Sequence, residues 1–262
     1  MKQETVYQHY HPDERFLIDR YLDIINRVDA TYSLYVSEFL NPRQVQIFSN
    51  LVSSTDLLFF TSSRIIDSEY IKVIIAPQYY QLENKDFNLA LIEISYNAKF
   101  NHLKHGQILG TLINELGIKR EKIGDIYVHD GFAQVLVDCS IVALLKQSIT
   151  RIARAKVSVK EISYNQFVRP EIANQTIELL LSSMRLDKIV ASTFKLSRNQ
   201  AISLIESDRV KVNYRPKNKI SEQLTIDDLI SVRGFGRIYL KEDHGLSKSG
   251  KHKVVVEKTA HK

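Results

Sequence analysis

The sequence predicts a mixed α+β chain built in three parts, and three observations carry that prediction. Helical and strand periodicities alternate along the whole length, with no solenoid-like repeat. The middle third runs in the order β-α-β-β-α-β. Positive charge is confined to the last third: residues 182–262 hold 17 Lys and Arg against 9 Asp and Glu, whereas residues 1–181 hold 19 against 21. With 44% hydrophobic residues over 262 positions, a core of ordinary size is expected and disorder of the whole chain is excluded. The single cysteine, Cys139, excludes an internal disulfide and a cysteine-cluster zinc site. No apolar run approaches the roughly 18 residues of a membrane span, and Met1–Thr5 shows no apolar leader. A cytoplasmic protein without membrane contact is therefore expected.

The first part, residues 1–76, is expected to be an N-terminal α/β domain. A helix is predicted from Asp13 to about Val28, because Leu17, Tyr21, Ile24, Ile25 and Val28 recur at helical spacing. A second should run from Pro42 to Val52, with Asn41 as its cap and proline at the first helical position. Two short apolar runs, Leu57–Phe60 and Ile71–Ala76, read as strands.

The second part, residues 77–165, has a more regular rhythm. Leu89–Ile94 reads as a strand and His105–Leu116 as a helix closed by Gly117. Ile126–His129 and Phe132–Val137 flank Asp130-Gly131, a hairpin signal. Ser140–Ile152 reads as a helix and Val157–Ile162 as a strand. Cys139 falls at a strand–helix junction, where a buried, inert thiol is expected. The order is that of ferredoxin-like and RRM-like domains. The aromatic-rich Arg-Gly-Phe-Gly-Phe pattern of an RNA-binding RRM is missing around Phe132, so RNA binding is not assigned to this part.

Residues 166–181 read as a linker, because Pro170 pushes the preceding residue out of helix. Residues 182–244 then give two short helices, one carrying Leu186, Ile189 and Val190, the other Ala201, Ile202, Leu204 and Ile205. Ser183 and Ser197 are the expected caps. Strands follow at Val210–Asn213, Ile230–Val232 and Arg237–Leu240. Residues 245–262 are rich in Lys, Ser and Gly and read as a mobile basic tail, in which Val254–Val256 could at most form an edge strand.

This third part resembles the S4 RNA-binding domain. Arg185-Leu186-Asp187-Lys188 matches the start of that motif and Ser197-Arg198-Asn199-Gln200-Ala201 the start of its second helix. Arg209-Val210-Lys211-Val212-Asn213 matches the turn into the first strand, and Asp228-Leu229-Ile230-Ser231-Val232 the closing strand. Asp208, Tyr214 and Asp227 stand where the motif usually has glycine. The whole chain is similar to the YlmH family, in which an S4 domain follows two N-terminal domains. Arg233-Gly234-Phe235-Gly236-Arg237 supports this, as do Leu116-Gly117-Ile118 and Ile123-Gly124-Asp125-Ile126. The resemblance implies contacts to ribosomal RNA and tRNA on the large ribosomal subunit. It further implies a role in rescuing stalled translation, acting as a monomer.

Elementary chemistry marks the same residues. Arg198, Asn199 and Gln200 fall in the first turn of a helix, where free N–H groups and the helix dipole favour phosphate. Arg185 and Lys188 lie one turn apart on one face. Lys211, Asn213, Arg215 and Lys217 follow on the first strand and its loop, and Arg233 and Arg237 bracket a Gly-Phe-Gly turn. Phe235 could stack on a base or anchor a small core. Asp187 reads as structural, pairing an arginine or holding a helix start.

Enzyme chemistry has no visible seat. No P-loop or dinucleotide fingerprint occurs, so no cofactor is expected. Leu246-Ser247-Lys248-Ser249 is a chance likeness to a synthetase loop. His102 with His105, and His9 with His11, lack a third metal ligand. An RNA-modifying enzyme or its accessory subunit is the alternative, and would require titratable groups converging in a cleft.

Overall fold

The computed structural model describes residues 7–8, 10–170 and 174–260; His9 lies outside them. The chain forms two compact units that divide after Pro170.

The first unit opens with α1 (Arg15–Thr31), entered through a 3-10 turn at Pro12–Glu14, and α2 (Pro42–Val52). The cap at α2 is a capping box: the Asn41 side chain accepts from the Gln44 amide and Gln44 reaches back to the Asn41 amide. These helices cover a small antiparallel sheet of β1 (Tyr35–Val36), β2 (Leu58–Thr61) and β3 (Val73–Ala76), ordered β1-β3-β2. Tyr21 stacks on Phe48 at 4.0 Å between ring centroids. The two-residue β1 has no sequence signal of its own.

The second sheet comprises β4 (Leu89–Tyr96), β5 (Ile123–Val128), β6 (Phe132–Asp138), β7 (Arg151–Ile152) and β8 (Ala155–Ile162). Its order, β5-β6-β4-β8-β7, is the ferredoxin-like order with a short strand added at one edge. Gly131 takes φ +83 in the Asp130-Gly131 turn. The helix expected over 105–116 is α3 (His105–Gly110) continued by one π turn, Thr111–Glu115. The helix expected over 140–152 is shorter: α4 spans Val142–Ser148, because the chain then turns into β7 to pair Arg151 with Lys156. Cys139 is exposed, in a 3-10 turn before α4, and not buried as expected.

Alternation splits this second sheet. Ala90, Ile92, Ile94, Val135 and Val157 face α3 and α4. Leu89, Leu91 and Leu136 face the other way, onto Ile74 and Ala76 from the first sheet and onto Phe39 and Phe87. The expected boundary at residue 76 therefore separates two sheets but not two cores. A buried ion pair joins them as well: Lys72 Nζ lies 2.6 Å from Asp138 Oδ2 and is 1% exposed. Lys72 also donates to the Asn88 carbonyl, and Lys122 approaches Asp138 Oδ1 at 3.3 Å.

The second unit is one antiparallel sheet with two helices on one face. Its elements are β9 (Asn174–Leu181), α5 (Leu186–Phe194), α6 (Arg198–Glu206), β10 (Val210–Val212), β11 (Arg215–Pro216), β12 (Leu229–Val232), β13 (Gly236–Leu246) and β14 (His252–Ala260). The order is β11-β10-β12-β13-β14-β9. Two expectations are corrected here. Residues 174–181 of the expected linker are strand β9, and the expected tail supplies β14, an inner strand between β13 and β9. The reason is burial: Val254 and Val256 are fully enclosed against Leu179, Leu181 and the helices. Each such side chain contributes about 1.5–3 kcal/mol, which outweighs the local polarity of the Ser247–Lys251 turn.

Candidate nucleic-acid interface

The two helices of the second unit start side by side, and a buried carboxylate joins their first turns. Arg185, not Ser183, is the N-cap of α5. Asp187 in the first turn of α5 is completely buried. Arg185 grips it through both arms of its guanidinium, Nε to Oδ1 at 2.9 Å and Nη2 to Oδ2 at 3.1 Å. From the first position of α6, Arg198 Nε reaches Oδ2 at 3.1 Å. Burial pushes the Asp187 carboxyl up, but the hydrogen bonds from the two arginines outweigh this and hold it below the ordinary carboxylate value. Asp187 is thus ionised and the trio carries a net charge of +1.

The geometry leaves donors facing outward. The Arg198 side chain is 62% exposed and engages Asp187 only through Nε, so its two Nη groups bond nothing among the described residues. Ser197 and Gln200 form a capping box, Gln200 N to Ser197 Oγ at 3.2 Å and Ser197 N to Gln200 Oε1 at 2.9 Å. Both side chains are thereby committed to the helix start, whereas Asn199 is exposed beside them. Lys188, one turn after Arg185, donates to Ser182 Oγ at 2.6 Å. A fixed guanidinium with free N–H groups beside a helix N-terminus is suited to a phosphate.

The remaining expected residues are not brought to this cluster. Lys211 alternates with the buried Val210 and Val212 and so points to the sheet face opposite the helices. Cross-strand pairing places Lys211, Ser231 and Arg237 in one row on that face. Asn213 is used internally, donating to Asp228 Oδ1 at 2.7 Å and accepting from the Leu229 amide at 2.9 Å. Lys217 is neutralised by Glu222 at 2.6 Å. Arg215 lies in β11 on the sheet edge. Arg233 is exposed in the β12–β13 turn, where its carbonyl accepts from Arg209 Nη2 at 3.0 Å. Arg209 is a further exposed cation that the sequence reading left out, although it stands within the matched motif. Phe235 packs on Phe194 at 5.5 Å within the core, the anchoring role rather than the base-stacking one.

The departures from glycine have a visible cost. Asp208, Tyr214 and Asp227 all adopt positive φ, at 55°, 69° and 72°. The backbone keeps the left-handed turns that glycine would make without strain.

Among the described residues no group of three His, Cys, Asp or Glu could hold a metal ion, and no helix is long and apolar enough to cross a membrane. A cleft beside α3, lined by Gln107, Thr111, Asn114 and Glu115, holds one titratable side chain, Glu115, which accepts from Thr111.

Three family models tile the chain. Residues 13–80 match "YlmH, N-terminal", residues 83–166 match "Putative RNA-binding domain in YlmH", and residues 184–230 match "S4 domain". The chain is 30% identical over 253 residues to the ribosome-associated protein quality control protein P2 of Bacillus subtilis (strain 168), covering 97% of this chain and 98% of that one. It is also similar to the solved structure of the cell division protein ylmH from Streptococcus pneumoniae. That match has a TM-score of 0.56 and 34% identity over 62% of this chain and 99% of the other. With the S4 domain in place behind both N-terminal domains, and near-full-length identity at this level, the chain belongs to the YlmH family.

Proposed function

We propose that this chain is an RNA-binding protein of the ribosome that touches ribosomal RNA and tRNA on the large subunit and acts when translation stalls, without altering the RNA. The observation that carries the reading is the Arg185–Asp187–Arg198 trio at the paired helix starts of the S4 domain. The name of the Bacillus subtilis relative, a ribosome-associated quality control protein, supports the setting. On this reading the protein works as a cytoplasmic monomer with no cofactor.

Co-sedimentation of the full chain with large subunits tests it. Arg198→Ala leaves Arg185 on Asp187 and should change stability by less than about 1 kcal/mol. Adding Arg185→Ala strands the buried Asp187 carboxylate at a cost of about 3–5 kcal/mol, so the double variant is assayed at a temperature where its melt shows the S4 unit folded. Each lost charge-assisted phosphate contact should weaken binding by roughly 1.5–3 kcal/mol. Because the basic residues divide between two faces, one RNA surface reaches about three of them, and log K should fall with log salt at a slope near −2. Unchanged co-sedimentation of the double variant would overturn the choice of face. A mass shift in any nucleotide after incubation would overturn the non-enzymatic reading.

A further inference from the structure

We infer that the first unit carries a second RNA site, for unpaired nucleotides, on the thinly covered end of its second sheet, where Phe132 and His129 lie in one face with Arg151, Lys156 and Ser158. The inference rests on the RNA-binding reading above and deepens it: residues 83–166 match the family model described as "Putative RNA-binding domain in YlmH", and what is added is the face that binds and the class of RNA it takes.

The face of this sheet opposite α3 and α4 is covered unevenly. At one end Leu91, Leu136 and Ile162 are paired side by side and sit under Phe39, Ile74 and Phe87. In the middle, Phe167 packs edge-on against Tyr127 at 4.9 Å, and Gln134 is held by the backbone of Gln166 and Val168. Beyond that the cover thins, among the described residues, to the Val168 backbone, which meets the His129 ring. The next row across the strands is His129, Phe132, Ser95 and Ser158, set by the pairs His129–Phe132, Phe132–Ser95 and Ser95–Ser158. His129 and Phe132 are stacked at 4.6 Å with rings 17° from parallel, and both stay partly exposed. Burial lowers the His129 pKa, so the ring is neutral at physiological pH and presents a π surface rather than a charge.

The opposite edge of the sheet supplies the charge. Between Lys146 and Lys160 the sequence has Lys146, Arg151, Arg154, Lys156 and Lys160 and no Asp or Glu. All five are exposed. Arg151 pairs directly with Lys156 across the β7–β8 hairpin, and Lys156, Ser158 and Lys160 alternate with the inward Val157 and Val159. They therefore share the open face with Phe132. Lys160 is paired to Glu93 at 3.0 Å, whereas Arg151, Arg154 and Lys156 have no carboxylate partner among the described residues. Unpaired cations along one edge and partly exposed stacked rings two to three strands away on the same face match the two needs of single-stranded RNA, a track for phosphates and a platform for bases. A duplex hides its base faces in its own stack and cannot use the rings.

The test uses the full chain, a 12-nucleotide oligouridine carrying one 4-thiouridine, and a 12-base-pair RNA duplex. Binding is read by fluorescence anisotropy and the photo-crosslink is mapped by mass spectrometry. Phe132→Leu, which keeps an apolar side chain, should weaken oligouridine binding about fivefold to tenfold, the scale of one lost base stack. Arg151→Gln with Lys156→Gln, both exposed and unable to disturb the core, should weaken it about tenfold. Both variants should leave duplex binding unchanged, and the crosslink should fall within residues 129–160. Arg185→Ala with Arg198→Ala should leave that crosslink in place, which separates this site from the S4 one. Crosslinks confined to residues 182–260, unaltered oligouridine affinity in the Gln variant, or equal loss of duplex binding would each overturn the inference.

Discussion

Two buried carboxylates of this chain are each held by two cations, and they do opposite things. Asp138 in the first unit faces Lys72, which is enclosed, and Lys122, which is mostly so. Asp187 in the second unit faces Arg185 and Arg198, whose outer nitrogens reach solvent. A lysine offers a point charge, and once that is spent on a buried partner nothing is left to display. An arginine can spend one edge on a carboxylate and present the other. The first arrangement clamps two sheets into one core; the second aims two guanidiniums outward from paired helix starts. A buried ion pair therefore signals an interface only when its cation has donors left over.

The sharpest way to break the comparison is to remove each carboxylate. Asp138→Ala strands the enclosed Lys72 charge and should cost about 3–5 kcal/mol. Urea unfolding followed by hydrogen exchange should show that loss in residues 10–170, with the S4 unit keeping its own transition. Replacing both partners, Lys72→Met with Asp138→Leu, should recover a large part of it, because no charge is then left unpaired.

Acid sharpens the same contrast. The bonds from Lys72 and Ser140 overcome desolvation and hold the Asp138 carboxyl far below its ordinary value. The unfolded chain takes up that proton near pH 4 and the folded chain only at much lower pH. The stabilisation is therefore complete above about pH 5 and is lost as pH falls toward the folded pKa. Between pH 5 and 3 the wild-type first unit should lose stability, and Asp138→Asn should flatten that slope in a series of melts.

A smaller effect is expected in the S4 unit. Asp187→Asn frees Arg185 and Arg198 to swing into water and should cost about 1–2 kcal/mol. Large-subunit binding should fall as well, although both arginines remain. Retained binding at wild-type affinity would mean that the carboxylate does not position them. The smallest change is a gain. Asp208 holds φ 55° in an exposed turn, so Asp208→Gly should raise the S4 melting free energy by about 0.5 kcal/mol, the strain relieved less the backbone entropy lost.

What could be read from the sequence was what depends on near neighbours. Asn41 with Gln44, Ser197 with Gln200, and the Asp130-Gly131 turn announce themselves within four residues, and each is present. The middle β-α-β-β-α-β order was legible for the same reason. Missing were contacts that depend on distant partners. Lys72 sits inside an apolar run and finds Asp138 66 residues on. Strand β9 looked like linker because its partner begins at His252. The S4 site was half legible: the motif gave the arginines, but not that Asn213, Ser197 and Gln200 are spent on the fold or that Lys211 faces away from Arg198.

The place of β14 sets a schedule for making the S4 unit. Asn174 on β9 and Thr259 on β14 bond side chain to side chain across 85 residues, and β14 alone connects β9 to the remaining strands. During synthesis at 5–20 residues per second, β9 therefore waits roughly ten seconds without a strand partner, its Leu179 and Leu181 only partly covered. Helices α5 and α6 emerge early but have an incomplete sheet to rest on until Val254 and Val256 arrive. A nascent chain stopped between Val232 and His252 carries the full S4 signature and still lacks the finished domain, so its capacity to hold the Arg185–Asp187–Arg198 trio depends on translation having run through the last strand.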